Sequence, residues 1–291
     1  MLRLAEESLT RAIHFRTRRI IAKNNAVDNR EALQTQLEEA IAQKATKVYQ
    51  AELKVGIADA DVGIAEAIEA VAKAEIDVVN ARVDNFKAKM AQASEEEERV
   101  QWEGELARAA GCVAEAKVGL AEAKAGLAEA KAGAAHAMVE VIKAKLDNAS
   151  EIERVDLLLA IARNEEAWAI ALKEAAAWYV ESAKQWELAA KPDDAASARA
   201  KVKRAKAEHA EATVKVYQKR VDVCKAEDDV ARMKNDSAQS VSLQRKIDAA
   251  QEDLAQAETR RMQAEEEAMR AENDAQAPRM TDQAGTYCLR A

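Results

Sequence analysis

Apolar residues recur along this chain at helical spacing and almost never alternate. Ile57, Ile64, Val71 and Val78 return every seven residues, with Ala60, Ala67, Ala74 and Ala81 three positions further on. That spacing puts a branched residue at a and alanine at d of a heptad, the seam of helices packed side by side. Val113, Leu120, Leu127, Ala134 and Val141 repeat the a position in a later stretch, with Ala116, Ala123, Ala130, Ala137 and Ala144 at d. Leu243, Ile247, Ala250, Leu254 and Ala257 form a further a/d run. Trp168, Tyr179 and Trp186 return to one stripe of a helix, and Trp178 lies about 80° away from it.

Capping chemistry marks the breaks between these runs. Ser94-Glu95-Glu96-Glu97 and Ser150-Glu151-Ile152-Glu153 each read Ser-x-x-Glu, in which hydroxyl and carboxylate satisfy the free amides of a new helix. Lys191-Pro192-Asp193-Asp194 is a third break, since proline is tolerated in a first helical turn and not in a helix interior. The Asn-rich stretches 24–29 and 235–242 are read as the fourth and fifth. Six helical segments are predicted, over about 2–23, 28–91, 94–147, 150–190, 193–234 and 241–274, followed by a loose tail over 275–291. The expected organisation is a basic amphipathic helix over 1–24, an elongated helical bundle over 28–274, and that tail. Short connections make neighbours antiparallel, and at 1.5 Å per residue the segment 28–91 would be roughly 95 Å long, so the expected object is a rod.

A faint repeat supports growth by stacking. Lys87-Ala88-Lys89-Met90, Glu98-Arg99-Val100 and Leu106-Ala107-Arg108 recur as Lys143-Ala144-Lys145-Leu146, Glu153-Arg154-Val155 and Ile161-Ala162-Arg163. Both copies straddle a turn, the mark of a duplicated helix-turn-helix unit.

Composition sharpens the picture of the seam. The 291 residues include 69 alanines but only 3% aromatics, so a core would bury little area per residue and would need many close helix contacts. Gly56 and Gly63 in one helix, and Gly119, Gly126 and Gly133 in the next, all precede an a position. Folding the two helices back near residue 92 makes these stretches face each other. Glycine inside a helix costs about 1 kcal/mol relative to alanine. A close backbone approach, with Ala60, Ala67, Ala123 and Ala130 packed between the glycines, is the expected compensation.

Charge distinguishes the two ends. The net charge of -8 argues against nucleic-acid partners. Residues 1–23 nevertheless carry six basic side chains against two acidic ones, and residues 248–276 carry nine acids against three arginines. Such ends attract one another within a chain or head to tail between chains. Leu2, Leu9, Ile13 and Ile20 give the first segment an apolar stripe, and Arg11, Arg16, Arg18 and Arg19 make it the candidate membrane or anion contact. An Arg-rich amphipathic start also fits an organellar presequence, a reading that Glu6 and Glu7 weaken. Cys112, Cys224 and Cys288 are odd in number and widely spaced, which points to a reducing, cytoplasmic setting. No window reaches the eighteen or so uncharged apolar residues of a membrane span.

Catalytic chemistry has no visible carrier. The residues three before His14, His136 and His209 are Arg11, Gly133 and Lys206, so the Glu-x-x-His pair of a di-iron bundle is absent. No glycine precedes a lysine and no Gly-x-Gly occurs, which removes the common nucleotide-binding loops. No two His or Cys lie close enough to seed a zinc site. The chain therefore reads as all-α, an elongated antiparallel multi-helix bundle with Ala-rich, Gly-containing heptad seams. Its expected role is that of a non-enzymatic scaffold or assembly protein, without cofactor, metal or small-molecule substrate, that associates with a protein partner or with itself. Trp168, Trp178, Tyr179 and Trp186 are its candidate interface. The alternative is a peripheral membrane-binding or membrane-shaping protein that uses the basic first helix.

Overall fold

A computed structural model describes residues 2–147, 149–190, 194–234 and 237–276. They form six long helices: α1 (Leu2–Ala42), α2 (Lys47–Met90), α3 (Glu96–Leu146), α4 (Glu151–Ala189), α5 (Ala195–Met233) and α6 (Ser237–Gln276). The break expected around Pro192 and most of the expected tail lie outside the described residues.

The first break is not where the asparagines are. α1 runs through Asn24–Asn29 without interruption, and the turn comes at Gln43–Thr46. A stripe of Leu2, Leu9, Ala12, Arg16, Lys23, Arg30, Leu37 and Ala40 stays in register through the Asn-rich stretch and faces α2, so packing overrides the local tendency of Asn to leave a helix. Lys44 takes the left-handed conformation that closes the turn, at φ 55°. Thr46 then caps α2, its hydroxyl accepting a hydrogen bond from the Tyr49 amide at 3.3 Å. The segment expected at 28–91 is thus the end of one helix and the whole of the next. Capping also divides unevenly between the two Ser-x-x-Glu motifs. Ser150 forms the reciprocal box with Glu153, whose carboxylate accepts from the Ser150 amide at 2.9 Å. Ser94 does not cap; α3 starts from Glu95, with Glu96, Glu97 and Glu98 placed against the positive end of the helix dipole.

Each helix packs against its neighbours in sequence, and no other pair of helices brings its backbones within 8 Å among the described residues. The bundle is therefore an open row, α1 to α6 in order, rather than helices closed around a common axis. Antiparallel register is fixed by ion pairs across the seams. Arg16 with Glu75 and Arg30 with Asp61 join α1 to α2. Lys219–Glu165 at 2.8 Å and Arg220–Glu166 at 3.1 Å join α4 to α5, and Lys203–Glu267 at 2.6 Å joins α5 to α6. Singly such exposed pairs contribute about 0–1 kcal/mol, but repeated along a seam they disfavour slippage. The molecule exposes 18713 Å², where a compact monomer of this mass would expose about 12,200 Å². A surface of this size accords with the elongated all-helical bundle expected from the sequence.

The inner helices must bury two opposite flanks, and this changes which residues form the seam. In α3 the best-buried stripe is Val118, Ala121, Ala125, Ala128, Ala132, Val139 and Ile142, and it faces α4. The expected a positions Val113, Leu120 and Leu127 are only half-buried, while Ala123 and Val141 are buried. Two stripes about half a turn apart leave no single apolar face, so a one-seam heptad captures half of the packing. In α2, Ile57, Ala74, Val78 and Ala81 are buried as expected, but Ile64 and Val71 are half-exposed. Among the described residues, the largest fully buried side chains are Val78 and Val139.

Candidate interaction surfaces

A groove runs along the middle of the α2–α3 seam. It holds about 910 Å³, with Ile64, Ala65, Ile68, Val71 and Val79 on one wall and Ala116, Gly119, Ala123, Gly126 and Ala130 on the other. This corrects the expectation for the glycines. A Cβ built on Gly63, Gly119, Gly126 or Gly133 meets nothing within 4 Å, so no backbone approaches them. Gly56 faces the Leu33 side chain of α1 at an ordinary 3.7 Å, not α3. Ala123 is buried, whereas Ala60, Ala67 and Ala130 are half-buried. Small residues line this space, and the glycines gain no packing in return. Asp61, Glu75, Glu115 and Glu122 ring the groove with Arg82. Two of these acids, Glu75 and Asp61, are the partners of Arg16 and Arg30 on α1.

The aromatic residues of α4 sit along its edges with α3. The Trp168 ring lies 6.1 Å from His136, and the Tyr179 hydroxyl donates to Glu129 at 2.8 Å. Trp178 points to the other side, where the Lys124 ammonium stands 3.8 Å from its ring centre. The offset of Trp178 from the other three thus follows the helical spacing. Trp186 is 51% and Leu188 80% exposed, two apolar side chains on opposite sides of the C-terminal end of α4. The ring contacts of Trp168 and Trp178 and the Tyr179 hydrogen bond all run across the α3–α4 seam.

Partial burial, and then the Glu129 carboxylate that accepts its hydrogen bond, push the Tyr179 phenol up to about 12. Its folded value lies above the ordinary one near 10, so its contribution to stability is complete below about pH 10 and is lost as pH rises through the raised value. Phenolate absorbance of the native protein is expected to show one tyrosine titrating near pH 12, and Tyr179→Phe is expected to remove that step. His209 shifts the opposite way, held below the usual histidine range by partial burial and by Lys173.

The arginines of α1 divide by role. Arg16 turns inward to Glu75, Arg11 donates to the Glu7 carbonyl at 3.3 Å, and the Arg19 guanidinium lies 4.7 Å over the Phe15 ring. Arg18 is exposed, with no ion pair among the described residues. Leu2, Leu9 and Ile20 of the N-terminal stripe are half-buried toward α2, whereas Ile13 of the same expected stripe is exposed, as are Leu4, Phe15 and Ile21.

Two features carry no clear sequence signal. Asp228 is 4% exposed, accepts from the Ser240 hydroxyl at 2.6 Å and pairs with Arg232, which ties the end of α5 to the start of α6. Asn85 is buried with its side-chain oxygen unpartnered, beside a cavity of about 360 Å³ to which Leu9, Phe86 and Arg108 contribute from three helices. Among the described residues, no three His, Cys, Asp or Glu side chains are grouped to hold a metal ion, and no helix is long and apolar enough to cross a membrane. No protein-family model, no curated protein and no solved structure matches the chain.

Proposed function

We propose that this chain is a non-enzymatic structural scaffold that acts through protein-protein association. The observation that carries the reading is the open row. Because each helix packs only on its neighbours in sequence, both broad faces and both outer helices remain available to other molecules. A surface about half as large again as that of a compact protein is the footprint of such a platform. Ala-rich seams suit it, since they set regular helix spacing without a thick core. The exposed Trp186 and Leu188 at the end of α4 supply the aromatic and aliphatic side chains that interfaces favour.

The membrane alternative rests on α1. Of its stripe, Leu2, Leu9 and Ile20 are turned toward α2 and Arg16 is engaged there, which reduces the apolar side chains left for a lipid surface to Leu4, Ile13, Phe15 and Ile21. Association is therefore the better account. Light scattering on the purified chain and on extracts of the cells that make it tests the reading. Particles heavier than the 31.8 kDa monomer are expected in at least one of the two. A chain that stays monomeric in both contradicts it.

A further inference from the structure

An open row ends in two helices that each have one neighbour. α1 packs only on α2 and α6 only on α5, so the outer flank of each is unpartnered among the described residues. The stripe through Leu4, Arg11 and Arg18 stands about 200° from the inward-facing Arg16, judged by the two-residue step to Arg18. All three are exposed, Leu4 at 67%. On α6, Leu243, Ile247, Ala250, Ala257 and Ala268 are buried toward α5. Met262, Glu266 and Met269 lie outside that seam, the two methionines 56% exposed.

Charge then decides which surfaces belong together. Six alternating helices put the N-terminal half of α1 and the C-terminal half of α6 at the same end of the row. The first carries a net +4 over residues 1–23, and the second, residues 257–276, carries six acids against three arginines, a net of -3. The two helices match in length, at 41 and 40 residues. A second copy placed beside the first would bring its α1 against this α6 in the antiparallel sense that every other seam of the row already uses.

We propose that the chain self-associates edge to edge, α6 of one copy docking on α1 of the next. This rests on the scaffold reading and names its partner, a second copy of the same chain. The contact is heterologous: the surface offered differs from the surface received, so each added copy presents a fresh edge. The row extends by six helices per copy, into a ribbon or, with enough curvature, a ring. Its strength depends on charge, so salt weakens it.

Sedimentation of the purified full-length chain, with heavy- and light-isotope copies mixed and cross-linked, tests this directly. The wild type is expected to form a series of multiples of 31.8 kDa that dissociates in salt, with heavy-to-light cross-links joining α1 to α6. Arg11→Glu with Arg18→Glu, or Glu266→Lys with the exposed Asp274→Lys, is expected to raise the apparent dissociation constant at least about tenfold while helical circular dichroism is unchanged. All four substitutions in one chain are expected to restore association. A purified chain that is monomeric, or one whose association ignores both reversals and cross-links elsewhere, overturns edge docking. In either case heavier particles in extracts, or the persisting assembly itself, would leave the scaffold reading standing.

Discussion

Replacing both Ala125 and Ala128 with leucine is expected to be the most damaging conservative change in the chain. These side chains are 0% and 1% exposed and lie one helical turn apart on the stripe that α3 presents to α4. Overpacking a filled site costs about 1–3 kcal/mol, so the pair is expected to lose about 2–6 kcal/mol. The loss has a location. In a row whose helices touch only their neighbours, one seam can open while the others hold. Amide exchange is therefore expected to accelerate along the α3–α4 seam, and tryptophan emission to shift as Trp168 leaves His136 and Trp178 leaves Lys124. Protection of the α5–α6 hairpin is expected to persist. Uniform loss of protection across all six helices would mean that the row is one cooperative body.

The opposite result is expected one position away. Changing Gly119, Gly126 and Gly133 together to alanine puts three methyl groups where nothing lies within 4 Å. Each replacement relieves a helix-interior glycine, worth about 0.8–1.0 kcal/mol, so the triple variant is expected to gain about 2–3 kcal/mol. Its midpoint of denaturation rises, and the groove shared with α2 narrows. If the glycines instead marked a close backbone contact, the same methyl groups would clash and the midpoint would fall. Ala125 and Gly126 are adjacent in sequence and about 100° apart around the helix. One faces a filled seam and the other an open groove, which is why their responses to added volume have opposite sign.

The contrast shows what the sequence made legible. Helical periodicity and the scarcity of glycine and proline sufficed for an all-helical chain of six segments with antiparallel neighbours. The Ser150 box marked the start of α4 because its chemistry is local, and Ser94 failed because the same motif can yield to a helix that begins one residue later. Asn24–Asn29 misled for a different reason: the α1 stripe continues through it, and packing against α2 outweighs the local preference. The heptad over Val113, Leu120 and Leu127 showed one flank of α3 and concealed the better-buried one through Val118, Ala125 and Ala132. An inner helix with neighbours on both sides has two seams, and a search for a single stripe finds whichever has the larger side chains. The groove at Gly119 and Gly126 was illegible because spacing between helices is set by the whole seam, not by the residues that line the gap.

Open or closed is the claim on which the scaffold reading depends, and one distance decides it. Spin labels at Ala22 on α1 and Gln263 on α6, in a chain whose native cysteines are replaced by serine, report the separation of the two outer helices. Dilution with excess unlabelled chain restricts the signal to pairs within one molecule. Five steps of about 8–10 Å each predict about 40–50 Å for a flat row, shortened by any curvature but still beyond about 20 Å. A dominant separation near about 10 Å would place α1 beside α6 in a closed bundle and would contradict the account.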